Sequence, residues 1–460
     1  MSERSTRRRF LRAAGVAAVA GIAGCSALNG GGQPATDGAR ATAGGATAGA
    51  ATTVGETATG RSATTDGDSS AGTTSENSTT AGDDADSGSG SLELDELATD
   101  AFRRNLSRDG FVPERTVPGS VERAWGIEGI NVGDHTASKA SAVAADGNIV
   151  IPGDSGEVTS VTPGGDVNWV AGTHPSAFGI HGTPAIANDT VYVGAYDGAL
   201  YAFDLATGEQ DWRTQLGGSI GGSPAYHEGR LYVAVEFADP SGSLFVVDAV
   251  TGAIELEDSR PTDHPHSTPG IDRDAGTISI GSNDGFLYTW EYPSMEFAHA
   301  FDAGEDVKAP IATYDGAAFF GSWDERVFRV DLASGTVDWT FETGGNVMSG
   351  AGIDTDSGTV YIGSHDHNCY ALDAATGEEQ WRFETDGWIT GCPAVTSEHV
   401  VIGSYDGNLY ALTKAGEEVW RAENEGQITA APLVHDGAIY YTERATEEVS
   451  GGAYRLVPAG

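Results

Sequence analysis

The sequence predicts an all-β fold, an eight-bladed β-propeller of four-stranded antiparallel blades, from three observations. The stretch Val191 to Trp212, VYVGAYDGALYAFDLATGEQDW, recurs as Val360 to Trp381 and again as Val400 to Trp420. Strand openings recur every 39 to 45 residues, at Ser141, Pro184, Pro224, Pro269, Pro310, Ala351, Pro393 and Pro432. A closing column follows the same period: Trp125, Trp169, Trp212, Leu256, a degenerate position near Phe297, Trp339, Trp381 and Trp420. One such unit cannot bury its own apolar face, and a period near forty with four short strands is the signature of propeller blades.

Within the unit, Val191, Val193 and Leu200 keep the alternating rhythm of half-buried strands. Asp197-Gly198 supplies a hairpin turn, because Asp bonds its own backbone and Gly accepts a positive φ. Asp204, Thr207 and Gly208 shape a second turn before Trp212, and Asp373, Thr376 and Gly377 do so before Trp381. Trp125 precedes the first opening, whereas the repeat that begins at Pro432 has no Trp after it. The strand at Trp125 is therefore expected to complete the last blade, which joins the ends of the ring and removes a free sheet edge. Seven blades is the competing count, since the third and fourth repeats lack the Trp.

The chain divides into four regions. Residues 1–24 read as a signal peptide, with Arg7, Arg8 and Arg9 ahead of Phe10 and Leu11, an apolar run to Ala23, and then Gly24-Cys25. The order of Arg7, Arg8, Phe10 and Leu11 resembles a twin-arginine signal, which implies export of a folded protein. Ile22-Ala23-Gly24-Cys25 resembles a lipobox, with Cys25 as the lipidated residue. Residues 25–91 read as a tether, since 50 of the 66 positions from Ser26 to Ser91 are Ala, Gly, Ser or Thr and none is aromatic. Residues 92–118 read as a linker, with a short helix expected from Leu94, Leu97, Ala98, Ala101 and Phe102. The propeller is expected over 119–460.

The formal net charge is −42, and lysine occurs only at Lys139, Lys308 and Lys414. That excludes nucleic acid as a general partner, because phosphate neutralisation needs a basic face. Most carboxylates lie in the strand-patterned region, so the acidity reads as adaptation to high salt, where self-repulsion is screened over a few ångströms. Stability is expected to fall when salt is removed.

Ala202, Asp204, Thr207, Gly208 and Trp212, with Ala371, Asp373, Thr376, Gly377 and Trp381, match the tryptophan-docking motif of the PQQ-like repeat family, which this chain resembles over roughly 120–460. Looser copies run from Val247 to Gly252 and from Val330 to Trp339. The resemblance implies that each Trp packs between adjacent blades. It offers two functions: quinoprotein dehydrogenases, which use PQQ with calcium, and non-catalytic lipoprotein propellers similar to BamB. The alcohol-oxidising enzymes would imply adjacent cysteines, but Cys369 and Cys392 are separate, and Cys369 aligns with Leu200 and Leu409 as a buried small residue.

His264-Pro265-His266 and His365-Asp366-His367 could suit a transition metal, yet Asp366 aligns with the turn residues Asp197 and Asp406. Asp272, Asp274, Asp354 and Asp356 fall where hairpin turns are due. No metal and no cofactor is therefore expected. The entries to the innermost strands carry Lys139, His181, His266, Lys308, Ser349, Thr390 and Thr429, with Asp306 and Trp388 close by. Two of three lysines sit there, which marks Lys139, His181, His266, Lys308 and Trp388 as ligand- or partner-binding candidates, either for an acidic group or as neutralisers of crowded carboxylates. The loops Glu236 to Ser243 and Glu443 to Gly452 are candidate partner contacts. The expectation is a membrane-anchored, extracytoplasmic, monomeric scaffold that binds an unidentified protein or envelope component. A PQQ- or metal-dependent oxidoreductase is the alternative, and a small-ligand sensor at the channel mouth is a third reading.

Overall fold

A computed structural model describes residues 103–132, 140–173, 179–446 and 449–460. Arg7, Arg8, Phe10, Leu11, Cys25, the tether, the expected helix and Lys139 lie outside the described residues. Eight antiparallel sheets follow one another along the chain. In the first seven, four strands pair in chain order, spanning 143–172, 185–215, 225–258, 270–302, 312–342, 352–384 and 394–423. The first strands of adjacent blades contact each other, so they line the axis.

The eighth blade closes the ring. Its strands Leu433–His435, Ala438–Arg444 and Gly451–Pro458 are completed by Val121–Asn131, which pairs antiparallel with Gly451–Pro458 from Val121↔Pro458 to Asn131↔Gly451. The two ends of the propeller thus share one sheet, as the placement of Trp125 predicts.

The blades are joined at their outer turns. Trp169 Nε1 donates to Leu205 O (2.8 Å), Trp212 to Ala249 O (3.1 Å), Trp339 to Ala374 O (3.0 Å) and Trp381 to Lys414 O (2.9 Å). Trp125 donates to Pro163 O (3.0 Å). Each accepting turn places a glycine beneath the indole: a Cβ on Gly208 would stand 2.6 Å from Trp169, and one on Gly377 2.7 Å from Trp339. Both glycines also have a positive φ, so the turn needs Gly for conformation and for space. Asp204 Oδ1 accepts from the amide and the hydroxyl of Thr207, both at 2.7 Å, and these bonds hold its carboxyl below the usual range. Asp373 and Thr376 repeat the arrangement.

Three register details differ from the sequence reading. The degenerate Trp position is His299, which pairs with Thr289 as Trp212 pairs with Ala202; Phe297 lies beyond the bulge. Its Nε2 reaches Leu332 O at 2.8 Å, so an imidazole does the work of the indole. At the strand openings, Ala142 and Ile311 are the equivalents of Pro224, one residue after Ser141 and Pro310. The reason is visible in backbone bonds: Ser141 N donates to Thr183 Oγ1, as Thr183 N does to Ser223 Oγ, and Val307 N reaches Ser282 O as Ile220 N reaches Ala195 O. By the same register Met348 stands at the channel entry, while Ser349 is buried and donates to Gly391 O.

The 103–118 segment is more than a linker. Its carbonyls accept from four successive inner strands: Leu106 O from Ile271 N (2.9 Å), Ser107 O from Thr313 N (2.7 Å), Asp109 O from Ile353 N (2.7 Å) and Gly110 O from Val395 N (3.0 Å). Val112 N returns a bond to Val395 O (2.7 Å), and Pro118 O accepts from Trp420 Nε1 (2.7 Å). Inner strands present unpaired donors to the axis, and a strand edge left so would be costly if buried dry. The segment satisfies those donors along the inner strands of blades four to seven and acts as a plug against them. Asn105 Nδ2 donates to Asp109 Oδ2 within it (2.7 Å).

Candidate functional site

The plug brings Arg108 to the axis, where it is 1% exposed. Its Nε donates to Pro269 O (3.2 Å) and its Nη2 to Pro224 O (3.4 Å). Burial, then the neighbouring Arg103, lowers its pKa to about 9, so it remains a cation at neutral pH. Asp109 lies beside it in the chain, and burial raises its carboxyl pKa above the ordinary value.

Just outward of Arg108, a stitch of side chains links blade to blade. Thr183 Oγ1, Ser223 Oγ and Thr268 Oγ1 each accept the backbone N–H of the preceding blade's equivalent residue, at 2.9, 2.9 and 3.0 Å. Cys392 Sγ occupies that place between blades six and seven, accepting from Gly350 N at 3.2 Å. Cys369 is fully buried, and burial pushes its thiol up to about 12. Both are free thiols.

At the mouth, a buried network gathers in blades two to four. His266 Nδ1 meets Glu236 Oε1 at 2.6 Å, and Ser219 Oγ donates to Glu236 Oε2 at 3.0 Å. Burial alone would raise the Glu236 pKa; the charge and hydrogen bond of His266, with Ser219, outweigh it and hold the carboxyl below its ordinary value. The Tyr196 hydroxyl is 3.4 Å from His266, and the Tyr196 ring packs on His181 with centroids 4.3 Å apart. His181 is only 2% exposed. Lys308 Nζ is paired with Asp306 Oδ2 at 2.7 Å and lies 3.6 Å from the Trp323 ring centroid. The structure therefore brings His181 and His266 together and ties Lys308 to its own carboxylate. Among the described cations that suggested an acidic ligand, His266 and Lys308 are engaged within the chain.

The other side of the mouth is aromatic. Trp388 stacks on His365, with centroids 4.6 Å apart and planes 5° from parallel, and packs against Tyr405 at 5.5 Å. It is 46% exposed, the one exposed aromatic side chain among the described residues. Thr390 Oγ1 donates to the Thr429 carbonyl at 3.2 Å.

The histidine pairs do not converge as metal ligands. His264 Nε2 bonds Phe237 O (3.0 Å) while His266 bonds Glu236; His365 stacks on Trp388 while His367 occupies a turn at φ 75°. Among the described residues no three His, Cys, Asp or Glu side chains gather to hold a metal. Asp272 and Asp354 cap their own hairpins, accepting from Ala275 N (2.8 Å) and Asp356 N (3.0 Å).

Sequence reasoning missed the plug, Arg108, Tyr196, and the Tyr four residues after four of the turn Asp residues. Tyr201, Tyr288, Tyr370 and Tyr410 donate to Asp197, Asp284, Asp366 and Asp406 at 2.5 to 2.8 Å. That spacing was open to view in the repeat. Arg108 carried no signal, since a lone Arg in a polar stretch is ordinarily solvated.

Known proteins share this architecture. The structure is similar to quinohemoprotein alcohol dehydrogenase from Comamonas testosteroni, with a TM-score of 0.67 and 14% identity over 80% of this chain and 82% of that one. It is similar to BamB from Moraxella catarrhalis, with a TM-score of 0.58 and 17% identity over 74% of this chain and all of that one. At such identities the likeness shows the fold alone. In sequence, 169 residues are 28% identical to the serine/threonine-protein kinase AfsK of Streptomyces coelicolor, covering 36% of this chain and 19% of the kinase. The chain thus spans about a fifth of that relative's length. The family profile of the outer membrane protein assembly factor BamB matches residues 120–255, 154–290 and 323–450, together well over half of the chain. With eight blades and their docked turns in place, the chain belongs to this PQQ-like, BamB-type propeller family.

Proposed function

We propose that this protein is a membrane-tethered, extracytoplasmic propeller that serves as a non-catalytic docking scaffold for a protein or envelope component. One observation carries the reading. The distinctive repeat residues are consumed in building blades, and the inner-strand edges of blades four to seven are taken up by the chain's own 106–112 backbone. What is left over for recognition is the irregular set of strand entries and loops. The family match and the expected signal at Arg7, Arg8 and Cys25 support an envelope location.

The second reading, a quinoprotein oxidoreductase, draws on the fold likeness to the alcohol dehydrogenase. The residues present do not suit a quinone–calcium centre: Cys369 and Cys392 are separate buried thiols, and the acidic groups at the mouth are held by His266, Lys308 and backbone amides. Incubating the purified protein with PQQ and calcium, then recording its absorption spectrum and alcohol oxidation, separates the readings. No stoichiometric loading is expected; a loaded, turning-over protein overturns the scaffold. Cys25→Ala is expected to release the protein from membranes, and retention of that variant would overturn the lipid tether.

A further inference from the structure

The recognition side of the proposed scaffold can be given a chemistry, and this step rests on that reading. Aromatic rings are spaced around the mouth, and the chain's own cations already cover two of them. Lys308 lies over Trp323, and Arg444 Cζ lies 5.6 Å from the centroid of Tyr405. Trp388 is the exception. No cation of the chain is placed over it among the described contacts, yet it is pre-oriented by the parallel His365 ring behind it and by Tyr405 at its side. A large aromatic side chain held rigid and 46% exposed is the arrangement found at binding anchors rather than in blade cores.

Beyond Arg444 on Tyr405, the charged residues nearest in the chain to Trp388 and the rings that hold it are carboxylates. Asp386, two residues earlier, is exposed, and its amide donates to Asp406 Oδ2 at 3.0 Å. Asp366 and Asp406 follow His365 and Tyr405 directly in the chain, and Asp366 is held ionised: burial raises its pKa, but the hydrogen bonds from Tyr370, Gly344 and Asn368 lower it further. Glu425 lines a surface hollow together with Tyr405 and Asp406. An acidic peptide would meet repulsion here, and the chain as a whole carries −42.

We infer that Trp388 is the anchor for a basic side chain, arginine above all, presented by an extended segment of a partner protein. The guanidinium would lie on the indole face as Lys308 lies on Trp323, with the exposed Asp386 supplying the countercharge. A planar cation suits this site better than an ammonium, because it stacks while its edge donates to carboxylates. The contact is short-ranged, so it survives molar salt, in which long-range steering is lost.

The test uses the full-length protein labelled with 5-fluorotryptophan, with the Trp388 fluorine resonance assigned by its loss in Trp388→Phe. The probes are capped hexapeptides alternating Gly with Arg, citrulline or Glu, titrated in low and in molar potassium chloride. The Arg peptide is expected to shift the Trp388 signal saturably, with the citrulline and Glu peptides binding at least about tenfold more weakly. Trp388→Ala should weaken Arg-peptide binding about five- to thirtyfold, measured by calorimetry. Should that variant misfold, Asp386→Asn provides the second measure, with a smaller loss confined to charged peptides. The inference is overturned if the Arg peptide shows no saturable binding, if citrulline binds equally well, or if Trp388→Ala leaves affinity unchanged. Those outcomes leave the scaffold itself standing, since that depends on the cofactor experiment.

Discussion

Blades six and seven follow the repeat closely, whereas blades three and four break it. In the regular pair the joint is an indole over a glycine turn, Trp339 over Gly377 and Trp381 over Gly416. At the joint between blades three and four the turn carries Met295 instead of glycine, at φ 60°, and its side chain is buried. The facing residue is correspondingly Leu256 rather than Trp, and both belong to one apolar cluster with Trp290. Trp290, from the next strand inward, is fully buried and donates to Asp258 Oδ2 at 2.9 Å. The requirement is therefore a filled volume and a satisfied polar edge, not a particular residue. The same broken region supplies the Glu236–His266–Tyr196 network, while the regular region keeps its individuality at the rim, in Trp388.

The comparison breaks most readily at the regular joint. Trp381→Ala removes an indole wedged between blades and should cost about 3 kcal/mol or more, read as a lowered denaturant midpoint. His299→Ala, at the substituted joint, should cost about half as much, because less apolar volume is lost. Equal losses would mean that the indole has no special part in docking.

The coupling of Met295 to Leu256 gives a sharper test. Leu256→Trp alone should destabilise by about 1–3 kcal/mol, since Met295 already occupies the space. Adding Met295→Gly should recover most of that loss, a non-additive pair in a double-mutant cycle. Simple additivity would sink the volume-matching account.

Glu236 yields a pH test. Its folded pKa lies below the ordinary 4.5, so its stabilisation is present above that pH and is lost as the pH falls through the lowered value. The lead of the wild type over Glu236→Gln in melting temperature should therefore be full at neutral pH and vanish in acid. A lead that grows on acidification would reverse the assignment.

The smallest effect is expected at the axial stitch. Cys392→Ser supplies the hydroxyl used by Thr183, Ser223 and Thr268, and should change stability by no more than about 0.5 kcal/mol. Cys392→Ala, which leaves Gly350 N without its acceptor, should cost about 1 kcal/mol, measured by the same denaturant titration.

The sequence by itself determined the all-β class, the count of eight, the turn chemistry of Asp204, Thr207 and Gly208, and the closure through Trp125. These are legible because each repeat solves the same local problem, so period and turn residues state the answer several times. It also carried the four Asp–Tyr ties and the Ser/Thr stitch, which become readable only when copies are aligned in true register. Tertiary structure alone decided the plug at 103–118, the burial of Arg108, the replacement of Trp by His299, and the pairing of Glu236 with His266 across 30 positions. Those contacts form only when neighbouring blades, or the 103–118 segment and the inner strands, pack together, and a single copy in the sequence gives no second instance from which to infer them. The same holds for Trp388: its position in the strand entry could be read, but its stacking on His365 from the preceding blade exists only once blades six and seven pack together.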